Sequence, residues 1–342
     1  MQQSIFVGLD LGSNHCQQTV INADGSFVSS LSIPTSEFHL RSAFAALGKN
    51  ASVHLEASEL APWVSSIISP LVSIVVISHP RSMAWIGKDS LKDDAIDARK
   101  LAELLRLNQV HPVYYENLES RRHFKHLVTH YEQLAHDQAR LKSKIKARLR
   151  TLGIIRQDSH LFSSSGQAQL LDSIHELPLK QMIAQSFAVL NQMLETRNDA
   201  KLSMMEFSKQ FPEVALLQTA PGVGIITACK FVAYLQTPKR FSNKRQLWRY
   251  CRLGITRRES NGKRLSYPRL DRSGVGSLKD VSRKIFEAAL RTKNDNLFKR
   301  SFEKSLAETK NQVHARLSTQ RKILATLRAV WIKMQPFADS SG

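Results

Sequence analysis

Four acidic residues stand where a metal-dependent reaction could take place. Asp10 and Glu56 each close an apolar run typical of a strand, and Asp94 and Asp97 open a helical stretch three residues apart. Carboxylate oxygens are ligands that Mg²⁺ prefers, and an i,i+3 spacing places two of them on one helix face. The pattern predicts a magnesium site suited to attack on phosphodiester bonds.

Each acid also has an ordinary structural interpretation. Asp10 could cap a turn, Glu56 could be a hydrated strand end, and acids in a first helical turn complement the helix dipole. An aspartate between nearby glycines on a first strand is also found in sugar-kinase and actin-type ATPases. Those enzymes need further glycine-rich phosphate loops, and the 14 glycines here are not suitably clustered. An ATPase is therefore disfavoured.

The charge balance points to a polyanionic partner. The 342 residues contain 49 Lys and Arg against 29 Asp and Glu, giving a formal net charge of +20. Such an excess favours nucleic acid over the alternatives, a merely basic soluble protein or a protein bound to an anionic membrane surface.

Membrane, secretion and disulfide signals are weak. No apolar run is long enough to span a bilayer, and the first residues do not resemble a signal peptide. Three scattered cysteines favour neither disulfides nor a zinc site. We expect a cytoplasmic bacterial protein that acts at the nucleoid.

Hydrophobic periodicity predicts an α/β domain over residues 1–115. Asp10 and Glu56 fall on predicted strands and Asp94 and Asp97 on a predicted helix. Strands are expected at 4–11, 16–22, 27–33, 51–55 and 71–77, and helices at 37–47, 60–68 and 93–107.

Two further sections follow. Residues 116–211 show a heptad-like seam from Phe124 to Leu152 and a second long helical pattern over 179–211. This predicts an antiparallel helical hairpin or coiled coil, with a plain bundle inside one globule as the alternative. Residues 212–342 are expected to form a mostly helical C-terminal domain.

Two basic stretches are candidate nucleic-acid contacts. The first spans eleven residues without an acid and contains Arg140, Lys142, Lys144, Lys146, Arg148 and Arg150. The second, 239–272, includes Arg257, Arg258, Lys263 and Arg264. Trp248, Tyr250 and Tyr267 are interleaved there; the first two are expected in a helical core, although all three could pack on sugars or bases. Such contacts predict strong salt dependence without sequence choice.

A Pro221-Gly222-Val223-Gly224 turn lies between predicted helices. It resembles a helix-hairpin-helix turn, in which Gly222 and Gly224 would allow backbone amides to approach a phosphate. The alternative is a tight interhelical turn.

The combination of motifs resembles the DEDD insertion-sequence transposases, the insertion sequence 110 family related to the Piv DNA invertase. The resemblance rests on these segments, in this order: Gly8-Leu9-Asp10-Leu11-Gly12, Leu55-Glu56-Ala57, Lys92-Asp93-Asp94-Ala95-Ile96-Asp97-Ala98, Pro221-Gly222-Val223-Gly224, Phe241-Ser242-Asn243 and Arg321-Lys322-Ile323-Leu324.

The resemblance implies a RuvC-like first domain with a ribonuclease-H-type sheet, in which Asp10, Glu56, Asp94 and Asp97 bind magnesium. It also implies a serine in the C-terminal domain that attacks DNA and forms a covalent phosphoserine. Members act as homo-dimers or tetramers in which the serine completes a site of another subunit. A structured non-coding RNA pairs with donor and target double-stranded DNA.

The position of that serine is the main departure from the family pattern. The family usually has Ser-Gly, whereas Asn261 stands between Ser260 and Gly262, and a literal Ser-Gly occurs at Ser273-Gly274. The distance from the Pro-Gly-Val-Gly turn favours Ser260 as the nucleophile. The resulting hypothesis is a recombinase that cleaves and rejoins DNA. The rivals are a hydrolytic junction nuclease, with water as nucleophile, and a non-catalytic nucleic-acid-binding protein.

Overall fold

A computed structural model describes residues 4–79, 93–114, 118–155, 158–257, 259–261, 263–264 and 267–339. For residues 158, 159, 259, 260, 263 and 264 only the backbone is described. The chain divides into two compact units, Met1–Asn117 and Leu118–Gly342. Within the described residues, no helix is both long and apolar enough to cross a membrane.

Unit 1 is built on a mixed five-stranded sheet. Its strands are β1 (Ile5–Leu11), β2 (His15–Asn22), β3 (Phe27–Pro34), β4 (Ala51–Glu56) and β5 (Ile74–Ser78). The spatial order is β3-β2-β1-β4-β5. The first three strands form an antiparallel meander, whereas β4 is parallel to both β1 and β5.

Helices cover both faces of this sheet. One face carries α1 (Glu37–Leu47) and α2 (Ala61–Ile68), whose apolar side chains pack on alternate residues of β1 and β4 such as Val7 and Val53. The other face carries α3 (Asp94–Arg106). Because side chains alternate along a strand, the residues between the core positions face α3.

Unit 2 begins with two long antiparallel helices. They are α4 (Glu119–Thr151) and α7 (Leu177–Ser208), linked by the short helices α5 (Asp158–Leu161) and α6 (Ser164–Asp172). Phe124, early in α4, stacks on Phe207 at the end of α7 with 6.3 Å between ring centroids. Ile145, late in α4, shares a cluster with Ile183 early in α7. These contacts run in opposite chain directions, so the helices form an antiparallel pair.

The rest of unit 2 is mainly helical. Its helices are α8 (Pro212–Leu217), α9 (Ile225–Leu235), α10 (Lys244–Tyr250), α11 (Gly276–Arg291), α12 (Leu297–Thr309) and α13 (Gln312–Lys333). Between α10 and α11 lie two small ribbons. One pairs β6 (Ile255–Thr256) with β9 (Arg269–Leu270), and the other pairs β7 (Glu259–Ser260) with β8 (Lys263–Arg264).

The long helices and the C-terminal helices share one core. Phe124 and Met204 of the pair are buried in the same cluster as Phe231, Ile285 and Leu324. The segments 116–211 and 212–342, which the sequence suggested as separate domains, therefore contribute to a single compact unit. The long helices and the C-terminal helices meet in this core at the Phe124 end of the pair, whereas the Ile145 end has a cluster of its own.

A buried charged group ties α4 to α9 and α11. Glu132 accepts hydrogen bonds from Lys230 Nζ at 2.7 Å, from Ser277 Oγ at 2.9 Å and from the Tyr234 hydroxyl. Glu132 and Lys230 are 7% and 4% exposed. The lysine therefore compensates the carboxylate inside the protein.

Candidate active site and nucleic-acid interface

Asp10 and Glu56 lie at the same edge of the sheet in unit 1. The parallel register of β1 and β4 pairs Leu9 with Leu55, so the next residue on each strand is one of the two acids. Leu9 and Leu55 face the core under α1 and α2. Strand alternation therefore directs both carboxylates to the α3 face.

Close packing brings α3 onto that face. A Cβ on Gly8 would lie 1.8 Å from the carbonyl oxygen of Ala98 and 2.6 Å from the nitrogen of Ala102. Only glycine on β1 permits this approach of helix and strand. Asp94 lies one turn before Ala98, and Asp97 immediately precedes it, so the first turn of α3 lies beside Asp10.

His54 holds the same helix from the neighbouring strand. Its Nδ1 is 2.8 Å from the carbonyl oxygen of Leu101, and its Nε2 is 2.6 Å from Ser78 Oγ. The carbonyl can only accept, so Nδ1 carries the hydrogen and Nε2 accepts from the serine hydroxyl. Burial lowers the pKa of His54, although the bond to Leu101 acts against it, which favours the neutral ring.

Electrostatic coupling connects the four acids. Burial raises the pKa of Asp10, and the charges of Asp94 and then Asp97 raise it further, against a lowering by the backbone hydrogen bond of Leu11. Burial also raises the pKa of Glu56, with Asp10 and Asp97 adding to the effect. A negative charge that raises the pKa of a carboxyl group lies close to it in space. The acids predicted from separate parts of the sequence are thus brought together.

The donor set fits a hard divalent cation. Asp10, Glu56 and Asp97 are partly buried, whereas Asp94 is exposed. A cation among them would relieve their repulsion and offset the hydration that the partly buried ones have lost. Within the described ranges, no three His, Cys, Asp or Glu side chains are already arranged around a point that could hold a metal. Mg²⁺ usually keeps several waters and takes only one or two protein carboxylates together with phosphate oxygens. Carboxylates that supply only part of the coordination shell are therefore compatible with Mg²⁺ binding.

The two candidate serines lie in different settings in unit 2. Ser260 pairs with Lys263 in the β7–β8 hairpin, and the intervening Asn261 has a φ of 53°. The backbone of Ser260 therefore lies at the end of β7, directly before Asn261. Gly262 and Arg258 lie outside the described residues, and the side chains of Ser260, Lys263 and Arg264 are not described.

Ser273 is engaged by its neighbour. Its hydroxyl donates to Asp271 Oδ1 at 2.5 Å, and Asp271 Oδ2 accepts from Arg249 Nε at 2.8 Å. Gly274 has a φ of +96°, and a Cβ there would lie 2.3 Å from the carbonyl oxygen of Tyr250. The local fold accounts for the glycine of this Ser-Gly pair without a catalytic role.

The basic residues on α4 are arranged on one exposed row and a partly covered flank. Arg140, Lys144 and Arg148 are exposed at i,i+4 spacing. Ile145 and Leu149, each one residue after a cation of this row, are buried against α7, so the cations do not surround the helix. Arg140 pairs with Asp137 at 3.2 Å, and Lys142 Nζ lies 4.9 Å from the Phe162 ring centroid.

The glycine turn before α9 has internal structural roles. Gly222 has a φ of +77°, and a Cβ there would lie 2.6 Å from the carbonyl oxygen of Ile285 in α11. The Gly224 amide donates to Thr227 Oγ1 at 3.1 Å, capping α9. These contacts support the interpretation of a tight interhelical turn.

The fold and the site together define a class of protein. A mixed sheet with clustered carboxylates at one edge, joined to a strongly basic helical region, is compatible with a RuvC-like DEDD nuclease domain. Two family models match the chain. The model for the DEDD transposase of IS110 elements, described as Transposase, matches residues 7–154. The model described as Transposase IS116/IS110/IS902 family matches residues 214–301.

The chain belongs to the IS110 family of transposases, which cleave and join DNA. No curated protein sequence matches it significantly. DEDD domains of this kind usually use a divalent metal ion. The resemblance inferred from the sequence motifs is thereby confirmed, as is the assignment to an enzyme that acts on DNA.

Proposed function

We propose that this transposase is a site-specific recombinase that uses magnesium at Asp10, Glu56, Asp94 and Asp97 and a serine nucleophile at Ser260. The observation that carries the proposal is that Asp10 and Glu56 end neighbouring parallel strands beside α3, and that nearby acids raise the pKa of both. A divalent cation held there would polarise the scissile phosphate and stabilise its developing charge.

The residues of the chain have distinct tasks in this scheme. His54 and Gly8 position α3, and with it Asp94 and Asp97, against the strand ends. The Ser260 oxygen attacks phosphorus and its proton passes to solvent. The bond from phosphorus to a deoxyribose oxygen breaks, and that leaving oxygen takes up a proton from solvent. The phosphoserine ester preserves the bond energy, so that a deoxyribose oxygen of another strand can later displace the serine.

The partners follow from the same proposal. The exposed row on α4 and the basic stretch 239–272 would contact the backbones of double-stranded DNA and a structured non-coding guide RNA. Within the stretch, Arg257, Lys263 and Arg264 flank Ser260 in sequence. Homo-dimers or tetramers would allow the serine of one subunit to complete the site of another.

The decisive experiment is the trapping of a covalent adduct. A suicide DNA substrate incubated with the protein, its guide RNA and Mg²⁺ should leave DNA attached to Ser260, identified by peptide mass spectrometry. Ser260→Ala should abolish the adduct, whereas Ser273→Ala should retain it. Cleavage without any adduct would instead establish the hydrolytic nuclease.

A second comparison tests the metal site. Asp10→Ala should abolish cleavage while leaving DNA binding largely intact. Normal recombination by Asp10→Ala would refute the assignment of the carboxylates. Binding without cleavage in the wild-type protein, with or without Mg²⁺, would support the non-catalytic alternative.

A further inference from the structure

Unit 2 contains a basic cleft of about 1130 Å³ beside the β6–β9 ribbon. Its lining includes one aromatic ring and four cationic side chains, those of Tyr267, Arg252, Arg269, Arg272 and Lys279. We infer that this cleft binds an unpaired stretch of nucleic acid, with a base stacked on Tyr267 and the backbone held by the surrounding cations. The inference rests on the proposed function only in taking nucleic acid as the partner.

Tyr267 differs from the other aromatic residues of the basic stretch. Trp248 and Tyr250 pack against the main core of unit 2, and the Trp248 indole donates to the carbonyl oxygen of Arg321 at 2.9 Å. Tyr267 is 90% exposed. A single exposed tyrosine is ordinary, but this one shares a cleft with four cations, the combination that binds single strands through stacking and charge.

Among the described residues, the one acid in the lining does not neutralise the cations of the cleft. Asp271 is in the lining, but its two oxygens accept hydrogen bonds from Arg249 and Ser273. Arg252 is held in place because its Nε donates to the carbonyl oxygen of Gly274 at 2.8 Å. A fixed guanidinium in a cleft of positive charge attracts phosphate.

The cleft continues into a second basic surface. Thr256 lines both this cleft and a neighbouring one of about 790 Å³ that includes Arg245, Arg257 and Arg321. Small-molecule pockets typically measure about 300–1,000 Å³. Two adjoining basic clefts exceed that size and favour a polymer over a mononucleotide.

The exposed ring argues for unpaired bases. Bases inside a duplex are stacked on one another and present only their edges in the grooves. A protein aromatic ring can stack only on a base that is free on one face. Such bases occur in loops of a structured RNA and in DNA strands separated during exchange.

The test measures binding of the full-length protein to fluorescein-labelled oligo-dT, oligo-U and a DNA duplex of equal length. Tyr267→Ala should weaken single-strand binding about 5- to 150-fold, the range expected for one stacked base, and leave duplex binding nearly unchanged. Tyr267→Phe, the matched control, should bind single strands like the wild type because it keeps the ring.

The outcomes separate the possibilities. If Tyr267→Ala loses affinity for both oligomers, the ring recognises the plane of a base in either nucleic acid. A loss of affinity for oligo-U alone identifies RNA as the ligand, and a loss for oligo-dT alone identifies DNA. Equal losses on single strand and duplex, or no loss, would overturn the proposal. Asp10→Ala should keep the full Tyr267-dependent affinity, so a failure of the metal-site proposal in cleavage assays leaves this result interpretable.

Discussion

Gly8 and Ala98 are in contact so close that no other residue fits at position 8. A Cβ on Gly8 would lie 1.8 Å from the Ala98 carbonyl oxygen, well inside van der Waals contact. The contact fixes the distance between β1 and α3 two residues before Asp10. The geometry of the acid cluster therefore depends on a residue that carries no charge.

We predict that Gly8→Ala destabilises unit 1 and abolishes cleavage. The new methyl group meets backbone atoms, which cannot rotate away. Overpacking a core typically lowers the free energy of unfolding by about 1–3 kcal/mol, and the loss here should be at or above the upper end of that range. Chemical denaturation measures the stability, and a cleavage assay measures the activity.

A matched substitution controls for the loss of glycine itself. A Cβ on Gly224 would meet none of the described atoms beyond its chain neighbours within 4 Å, and the φ of this residue is −93°. Gly224→Ala should cost no more than about 1 kcal/mol, the scale of a helix N-cap change. If Gly8→Ala were as mild as Gly224→Ala, the proposed packing of α3 on β1 would be wrong.

Asp10→Asn should stabilise the protein in the absence of divalent cations. Burial and the charge of Asp94 raise the pKa of Asp10, so its ionised form is disfavoured in the folded state. The neutral amide removes that repulsion and should raise the melting temperature in EDTA. In the wild type, Mg²⁺ at a hundred times its dissociation constant should add about 2.7 kcal/mol, a gain that the variant largely loses.

Glu59→Gln is the control for a change of one negative charge, because Glu59 is exposed on the same unit. It should show the wild-type melting temperature in EDTA and the wild-type response to Mg²⁺. An equal magnesium response in Asp10→Asn and the wild type would remove Asp10 from the metal site.

Periodicity and spacing predict unit 1 closely because each signal is local. Apolar alternation locates β1 and β4, and the acids at their ends can be placed on one sheet edge once those strands are taken as parallel. The role of His54 could not be inferred, because its partners Leu101 and Ser78 are distant in sequence. Gly8 carries a usable signal, since a glycine inside a strand often marks close backbone approach.

In unit 2 the sequence is less informative. The basic composition of 239–272 is typical of a loop beyond its first helix, and it does not reveal the two ribbons in this segment. The Asn261-Gly262 pair between short strands is a hairpin signal that composition alone overlooks. Cavities such as the Tyr267 cleft depend on long-range packing that no local pattern specifies.

The exposed row on α4 should contribute phosphate contacts. The double variant Lys144→Gln and Arg148→Gln should weaken binding of every DNA sequence alike and reduce the slope of log affinity against log salt by about 0.9 for each lost contact. Fluorescence anisotropy at several salt concentrations measures both quantities. The control replaces Lys293 and Lys304, exposed cations near and on α12, by glutamine. Equal slopes in the two double variants would show that only net charge matters.

The buried Glu132–Lys230 pair should make unit 2 sensitive to single but not double substitution. Burial alone would raise the pKa of Glu132, but hydrogen bonds from Lys230 and Tyr234 outweigh it and lower the pKa below the ordinary 4.5. Glu132→Gln leaves the Lys230 ammonium buried without its counter-charge, which should cost about 3–5 kcal/mol at pH 7. Adding Lys230→Met should recover much of that loss, because an apolar side chain of similar length needs no partner.

The pH dependence follows from the lowered pKa of Glu132: the stabilisation is complete above pH 4.5 and is lost as the pH falls through the folded-state value. Denaturation can be followed by the fluorescence of Trp331 in the unit 2 core. As the pH falls, the double variant should lose less free energy of unfolding than the wild type. Additive effects of the two substitutions would contradict a coupled pair.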